Sequence, residues 1–207
     1  MKSVTVAAAA IALSLSATLS TAAQFTFDTD PFAGSDAPIL AGRQVVGGEP
    51  SISFSTASDV YVFHTGRFGI KTLSLGNDLA PNLPASGVNV VVLRTFDNDA
   101  NTSTPFGAGN AANLIAGQLT EPAPGFFVYF NSGLDLPRLV FSTDLSDNTS
   151  DLKILARMTN LTGQSGELAA FSAANFALVP EPSEWALLLA GLGLVSAAYR
   201  RSRQRES

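Results

Sequence analysis

The chain has 207 residues, of which 46% are hydrophobic and only 14% are charged, so its composition excludes a disordered chain and fits one packed domain with apolar segments added. It contains no cysteine, which excludes disulfides, thiolate metal sites and cysteine nucleophiles. Residues 24–179 carry seven dispersed basic side chains against fourteen acidic ones, a net charge of −7, and we therefore expect no nucleic-acid partner.

The first 23 residues have the layout of a secretory signal peptide. Lys2 supplies a positive start and is followed by an uncharged apolar run. Thr21 and Ala23 place small residues at positions −3 and −1 of a cut before Gln24. The alternative, a retained anchor helix, is disfavoured by this small-residue ending. We therefore expect export through the secretory translocon.

Residues 24–178 form the predicted body, in which short apolar and β-branched runs alternate with turn residues. Several runs have a period of two, and no interior stretch shows a sustained helical period. We predict strands over Phe25–Phe27, Ser51–Ser55, Val60–His64, Ile70–Leu75, Val88–Phe96, Asn113–Leu119, Gly125–Asn131, Leu139–Thr143, Leu152–Met158 and Asn175–Val179. This pattern predicts an all-β body, an antiparallel β-sandwich or a jelly-roll-like domain.

One of these runs, Gly125–Asn131, contains four aromatic residues and is predicted to be a central strand buried on both faces. The order of four segments resembles, at the level of fold, the β-sandwich domains appended to secreted bacterial peptidases: Asp59–Phe63, Thr72–Leu75, Val88–Phe96 and Pro124–Tyr129. Such a resemblance concerns the alternation of core residues and implies no catalytic residue.

Nucleophilic catalysis has little support in the body. His64 is the only histidine, and it ends a predicted strand, where a half-covered structural residue is the simpler interpretation. Ser150 and Lys153 form a Ser-x-x-Lys spacing, but Ser146-Asp147-Asn148 lies directly upstream of it, the reverse of the order in penicillin-recognising enzymes. We predict a polar turn that leads into a strand, and no enzymatic activity.

A weak calcium candidate follows the fifth predicted strand. Asp97, Asp99 and Asn101 stand at positions one, three and five, as at the beginning of a calcium loop. Position six is Thr102 in place of glycine, and position twelve is Ala108 in place of glutamate. A second acidic loop contains Asp144, Asp147 and Asp151. Neither loop has a complete ligand set, and we expect no cofactor and no structural metal.

The C-terminal segment from Trp185 to Tyr199 is fifteen apolar residues long and is predicted to be a single transmembrane helix. At about 1.5 Å per residue it spans ~22 Å against a hydrocarbon core of ~30 Å, so it is short for a permanent anchor. Its two ends are interfacial aromatic residues. Four arginines follow it and are expected to stay in the cytoplasm as a stop signal: Arg200, Arg201, Arg203 and Arg205.

Immediately before this segment, Val179-Pro180-Glu181-Pro182-Ser183 precedes the apolar helix and the arginine-rich end. This arrangement of residues 179–207 resembles the PEP-CTERM sorting domain of Gram-negative bacteria. The resemblance implies that Pro180, Glu181 and Pro182 are recognised by a membrane protease-transpeptidase, exosortase. It also implies a link with exopolysaccharide and biofilm. The paired prolines hold an extended segment that cannot continue a helix or a sheet.

The sequence therefore predicts three parts, the signal peptide 1–23, the body 24–178 and the sorting tail 179–207. The expected function is that of a non-enzymatic protein that passes through an inner-membrane intermediate to the cell surface or extracellular matrix. The alternative is an exported hydrolase or carbohydrate-binding module with the same tail. Sugar binding favours exposed Trp or Tyr, and Tyr61 and Tyr129 are the candidates in the body.

Overall fold

A computed structural model describes residues 22–35, 42–163 and 165–180 and, in the tail, positions 186, 187, 189–192 and 194. The described strands are β1 (Gln24–Phe27), β2 (Val45–Val46), β3 (Ser51–Ile52), β4 (Val60–His64), β5 (Leu75–Asp78), β6 (Val90–Leu93), β7 (Gly125–Asn131), β8 (Leu136–Ser142), β9 (Leu152–Met158) and β10 (Phe176–Val179). Helix α1 is Thr65–Phe68 and α2 is Ala108–Ala116. The 3-10 turns are Ala80–Asn82, Thr159–Leu161, Ser165–Ala170 and Ala173–Asn175.

The strands form two sheets. The small sheet has the order β1-β4-β10, and the large sheet has the order β2-β9-β8-β7-β6-β5, with β3 also pairing to β9. The prediction of a mainly β body is confirmed. The prediction of antiparallel pairing is largely wrong, because among the described residues only β7–β8 and β8–β9 are antiparallel, and the other pairs are parallel.

The connections between strands explain this difference. A tight turn over residues 132–135 joins β7 to β8 as a hairpin, with Asp135 in the left-handed region at φ 57°. Parallel neighbours need a crossover instead, and residues 94–124, which contain α2, make one between β6 and β7. Glycine and proline mark both kinds of connection, so they did not reveal which direction the chain takes afterwards.

Most strand positions agree with the prediction. The bounds of β4, β7 and β9 are those predicted, and β1, β3, β6, β8 and β10 overlap their predicted segments. Strand β2 was missed. The run Ile70–Leu75 was assigned wrongly as a strand, because the observed strand begins only at Leu75 and continues to Asp78.

Asn113–Leu119, also predicted to be a strand, lies mostly in helix α2, and the helical period was present in the sequence. Ala108, Ala111, Ala112 and Ile115 are buried, at spacings of three, four and seven residues. Such spacing places them on one helix face. Alanine signals a helix face weakly because its side chain is small, and this helical period was therefore missed.

The large sheet lies between two apolar layers. On β7, Phe126, Val128 and Phe130 contact the core shared with the small sheet, whereas Phe127 and Tyr129 contact the core shared with α2. All seven residues of β7 are buried, which confirms the predicted central strand. The body therefore has three layers: the small sheet, the large sheet, and α2 with its flanking loops.

Candidate functional site

The point where the tail leaves the body is fixed by β10. This strand pairs in parallel with β4 along its whole length, and Val179 is aligned with His64. Pro180 follows at once and lines a surface cavity of about 420 Å³ with Thr65, Gly69 and Lys71. Proline has no N–H with which to continue a ladder, so the strand ends there. The first residue of the predicted sorting motif thus lies against the folded body.

The rest of the tail is described only in part. Glu181, Pro182, Trp185, Tyr199 and the four arginines lie outside the described residues, as does the predicted signal peptide up to residue 21. The described tail positions between 186 and 194 are helical. Their leucines are exposed, with Leu187 at 74% and Leu194 at 73%. Among the described residues, no helix has both the length and the hydropathy that crossing a membrane requires.

A second site is an ion cluster around Glu49, in the loop between β2 and β3. One carboxylate oxygen, Oε1, accepts hydrogen bonds from Arg138 on β8 and from Arg157 on β9, the latter at 2.6 Å. Only 1% of the Glu49 side chain is exposed. The two arginines are direct partners in the β8–β9 ladder. Like charges in that position repel each other, so the buried carboxylate between them stabilises the pairing.

The ionisation of Glu49 follows from this environment. Burial by itself would raise the pKa of Glu49, but hydrogen bonds from Arg157, from its own backbone and from Arg138 outweigh burial and lower the pKa. A glycosidase acid needs the opposite shift, since it must carry a proton near neutral pH. Glu49 is therefore suited to holding positive charge in place and poorly suited to donating a proton.

Beside this cluster is a polar cavity of about 470 Å³. Its lining includes Thr26, Asp30, Glu49 and Lys153, together with Phe27 and Phe68. The ammonium of Lys153 donates a hydrogen bond to the carbonyl of Gly47 at 2.7 Å. The cavity combines hydroxyl, carboxylate and ammonium groups with the partly exposed ring of Phe27, whereas Phe68 is buried. This mixture suits a small polar ligand.

The side chains of the predicted calcium candidates accept hydrogen bonds within tight turns of their own loop. The Oδ1 atom of Asp97 accepts the backbone N–H of Asp99 at 3.0 Å, and the Oδ1 of Asp99 accepts that of Asn101 at 2.9 Å. The Oδ1 of Asn101 in turn accepts the N–H and the hydroxyl of Ser103. The N–H of Asp99 lowers the pKa of Asp97. These are successive Asx turns in an exposed loop.

The carboxylates of the second acidic loop also accept hydrogen bonds from backbone N–H groups and hydroxyls. Asp144 accepts the backbone N–H and the hydroxyl of Ser146, and Asp147 accepts those of Thr149. Asp151 accepts the backbone N–H of Gln44 at 2.9 Å. Within the part of the chain that the structure describes, no three acidic or histidine side chains come together as a metal-binding group.

The remaining predicted site residues occupy structural positions. His64 is the last residue of β4 and is half-buried, as expected. Ser150 is buried two residues before β9 begins, and Lys153 is in that strand, which confirms a polar turn leading into a strand. Tyr61 and Tyr129 were the candidate sugar platforms, but both side chains are fully buried in the core. Neither ring can stack on a polymer.

Sequence reasoning missed Glu49 altogether. Its partners are 89 and 108 residues away in the chain, so no local spacing connects them. The only signal was a charged residue in the loop Gly47-Gly48-Glu49-Pro50, and this composition is typical of an exposed turn. The register of β8 and β9 determines that two arginines meet there.

Comparisons with known proteins add no family to this description: no family model matches the chain, and neither a curated protein nor a solved structure is significantly similar to it.

Proposed function

We propose that this chain is an exported, non-enzymatic envelope protein whose body is delivered to the cell surface or the extracellular matrix by a C-terminal tail that exosortase removes. In this proposal Pro180, Glu181 and Pro182 form the recognition segment. The helix that follows is a temporary membrane anchor, and the four arginines hold its far end in the cytoplasm. The body acts through its surface, in contact with exopolysaccharide or neighbouring matrix components.

The observation that carries the proposal is the direct passage from β10 into the motif. Val179 is still hydrogen-bonded into the small sheet, and Pro180 is the next residue. The proline that ends the strand is therefore also the first residue of the motif, with no linker between the fold and the motif. The helical leucines beyond it are exposed, as expected for a segment whose apolar partner is a lipid bilayer.

The proposal is tested by replacing the central residue of the motif in the full chain. Glu181→Ala should leave membrane insertion intact, because Glu181 precedes the apolar segment. It should prevent removal of the tail in a host that carries a cognate exosortase, so a membrane-bound precursor accumulates. Glu206→Ala is the matched control, because it makes the same change in the same tail outside the motif. Equal processing of both variants would show that the motif is not a sorting signal.

A second experiment separates orientation from recognition. Replacing Arg200, Arg201, Arg203 and Arg205 with glutamine removes the charge that stops translocation, and we expect the tail to insert poorly and remain uncut. Protease added to spheroplasts reports on which side the tail lies. Normal insertion and processing of this variant would refute the stop-signal role.

The alternative, a carbohydrate-binding module, is favoured by one observation, the polar cavity beside Glu49. Sugars are recognised by hydroxyl and carboxylate hydrogen bonds together with an aromatic face, and the lining of this cavity contains each kind of group. Incubation of the exported protein with defined polysaccharides separates the candidates. Binding that is lost on Lys153→Ala would support the module, and turnover of any polysaccharide would refute a non-enzymatic function.

A further inference from the structure

The first described residues are held by a buried carboxylate. The backbone N–H of Ala23 donates to Oδ1 of Asp59 at 2.9 Å, and the carbonyl of Ala23 accepts the N–H of Val60 at 2.9 Å. Asp59 is only 7% exposed. Its other oxygen accepts the N–H of Ser55 at 2.9 Å, and the hydroxyl of Ser58 donates to Oδ1. Ala23 therefore belongs to the fold, although β1 begins one residue later.

The position of this carboxylate is fixed by a second buried side chain. The amide of Asn175 donates to the carbonyls of Thr56 and Asp59, each at 2.9 Å. Because Asn175 is also buried, the loop that carries Asp59 cannot swing toward water without breaking both bonds. Within the described residues, the ion pairs use Asp78 and Glu49, so Asp59 is a buried carboxylate held there by neutral donors.

At the end of the apolar run, two cuts place alanine at position −1 and a small residue at position −3. A cut before Gln24 has Thr21 at position −3 and Ala23 at −1, whereas a cut before Ala23 has Ser20 at −3 and Ala22 at −1. From the sequence we predicted the cut before Gln24, but the contacts of Ala23 with Asp59 and Val60 favour the cut before Ala23. A cut before Gln24 removes both hydrogen bonds that the backbone of Ala23 makes. The N–H of Val60 then loses its acceptor, and Oδ1 of Asp59 loses one of its donors.

We propose that the mature protein begins at Ala23, and that its N-terminal ammonium forms a buried ion pair with Asp59. This inference rests on the export proposed above. Signal peptidase adds water across the Ala22–Ala23 peptide bond. The hydroxyl goes to the carbonyl carbon of Ala22. The nitrogen of Ala23 takes the other hydrogen of the water and the proton that the new carboxyl group releases, and so becomes an ammonium. That nitrogen already lies at hydrogen-bond distance from Asp59, so processing converts a neutral hydrogen bond into a charged one without moving the chain.

The direct test is N-terminal sequencing and intact-mass measurement of the full chain exported from a Gram-negative host. Ala23 as the first residue supports the inference, and Gln24 as the first residue overturns it. Protein that keeps its leader would contradict export itself, so the two failures are distinguishable. The measurement does not depend on how the C-terminal tail is processed, because it concerns only the N-terminus.

Two leader variants sharpen the test, since both altered residues are removed with the signal peptide. Thr21→Gln places a large side chain at −3 of the cut before Gln24 but only at −2 of the cut before Ala23, so we expect normal processing. Ala22→Gln blocks position −1 of the cut before Ala23 and should move the cut to Gln24. Loss of processing in Thr21→Gln, with unchanged processing in Ala22→Gln, would refute the inference.

The same variants measure how much the ion pair contributes to the stability of the protein. Protein exported from Ala22→Gln differs from wild type only by the missing Ala23. We expect its melting temperature to be lower by roughly 4–8 °C, because two hydrogen bonds, one of them charged, are lost. Protein exported from Thr21→Gln should melt as wild type does. Equal melting temperatures for the proteins that begin at Ala23 and Gln24 would show that the ammonium does not pair with Asp59.

Discussion

The sharpest prediction about the body is that Glu49→Gln destabilises it strongly. The substitution keeps the shape of the side chain and removes its charge. Arg138 and Arg157, which are neighbours across the β8–β9 ladder, then face each other without a carboxylate between them. The amide oxygen of glutamine can still accept hydrogen bonds from both arginines, but it is neutral and cannot compensate the charges of two guanidinium groups.

The magnitude follows from burial. Only 1% of the Glu49 side chain is exposed, so its interaction with Arg138, which is 13% exposed, is poorly screened. Breaking a buried ion pair by removing one partner costs about 3–5 kcal/mol. Arg157 is 41% exposed and can move into water, so we take the lower end, about 3 kcal/mol. For a domain of this size, that lowers the melting temperature by roughly 6–12 °C.

Thermal unfolding followed by circular dichroism measures this difference, and Glu121→Gln is the matched control. Glu121 is exposed and accepts the N–H of Gly87 at 3.2 Å, so its substitution should shift the melting temperature by no more than about 2 °C. The effect of Glu49→Gln should also depend on pH. The pKa of Glu49 is lowered in the folded state, so its contribution is present above the unfolded pKa of about 4.3 and disappears as the pH falls through the folded pKa.

The two melting curves should therefore differ at pH 7 and converge in acid. If Glu49→Gln melts within about 2 °C of wild type at pH 7, the cluster contributes nothing measurable, and the argument from like-charged ladder partners is wrong.

Two further predictions concern the core and the acidic loops. A Cβ at Gly125 would lie 2.3 Å from Cδ1 of Leu145 and 2.5 Å from the carbonyl of Asn89, so Gly125→Ala should cost about 3 kcal/mol in chemical denaturation. Gly166→Ala, where a Cβ meets nothing within 4 Å, is its control, and equal denaturation midpoints would contradict the packing argument. Chelator should change the melting temperature of the purified protein by less than about 2 °C, because the carboxylates of Asp97 and Asp99 already accept backbone N–H groups. A large drop would identify this loop as a structural calcium site.

The sequence was sufficient for features that depend on local pattern. The alternation in Val60–His64 and the aromatic run in Gly125–Asn131 predicted the bounds of β4 and β7, because side chains on a strand repeat every two residues. The polar turn before β9 followed from clustered Asp, Ser and Asn. These predictions hold because each depends on residues that are neighbours in the chain.

Only the tertiary structure decided how those elements are joined. Parallel pairing of β1 and β10 with β4 depends on long crossovers that leave no mark on the individual strands. Helix α2 was missed because its buried face is made mainly of alanine, which gives a weak apolar signal in the sequence. These alanines are buried because the helix packs closely on the large sheet. The Glu49 cluster and the contact between Ala23 and Asp59 join residues at least 36 positions apart. Such contacts are set by strand register and by loop position, which a local pattern of residue types does not encode.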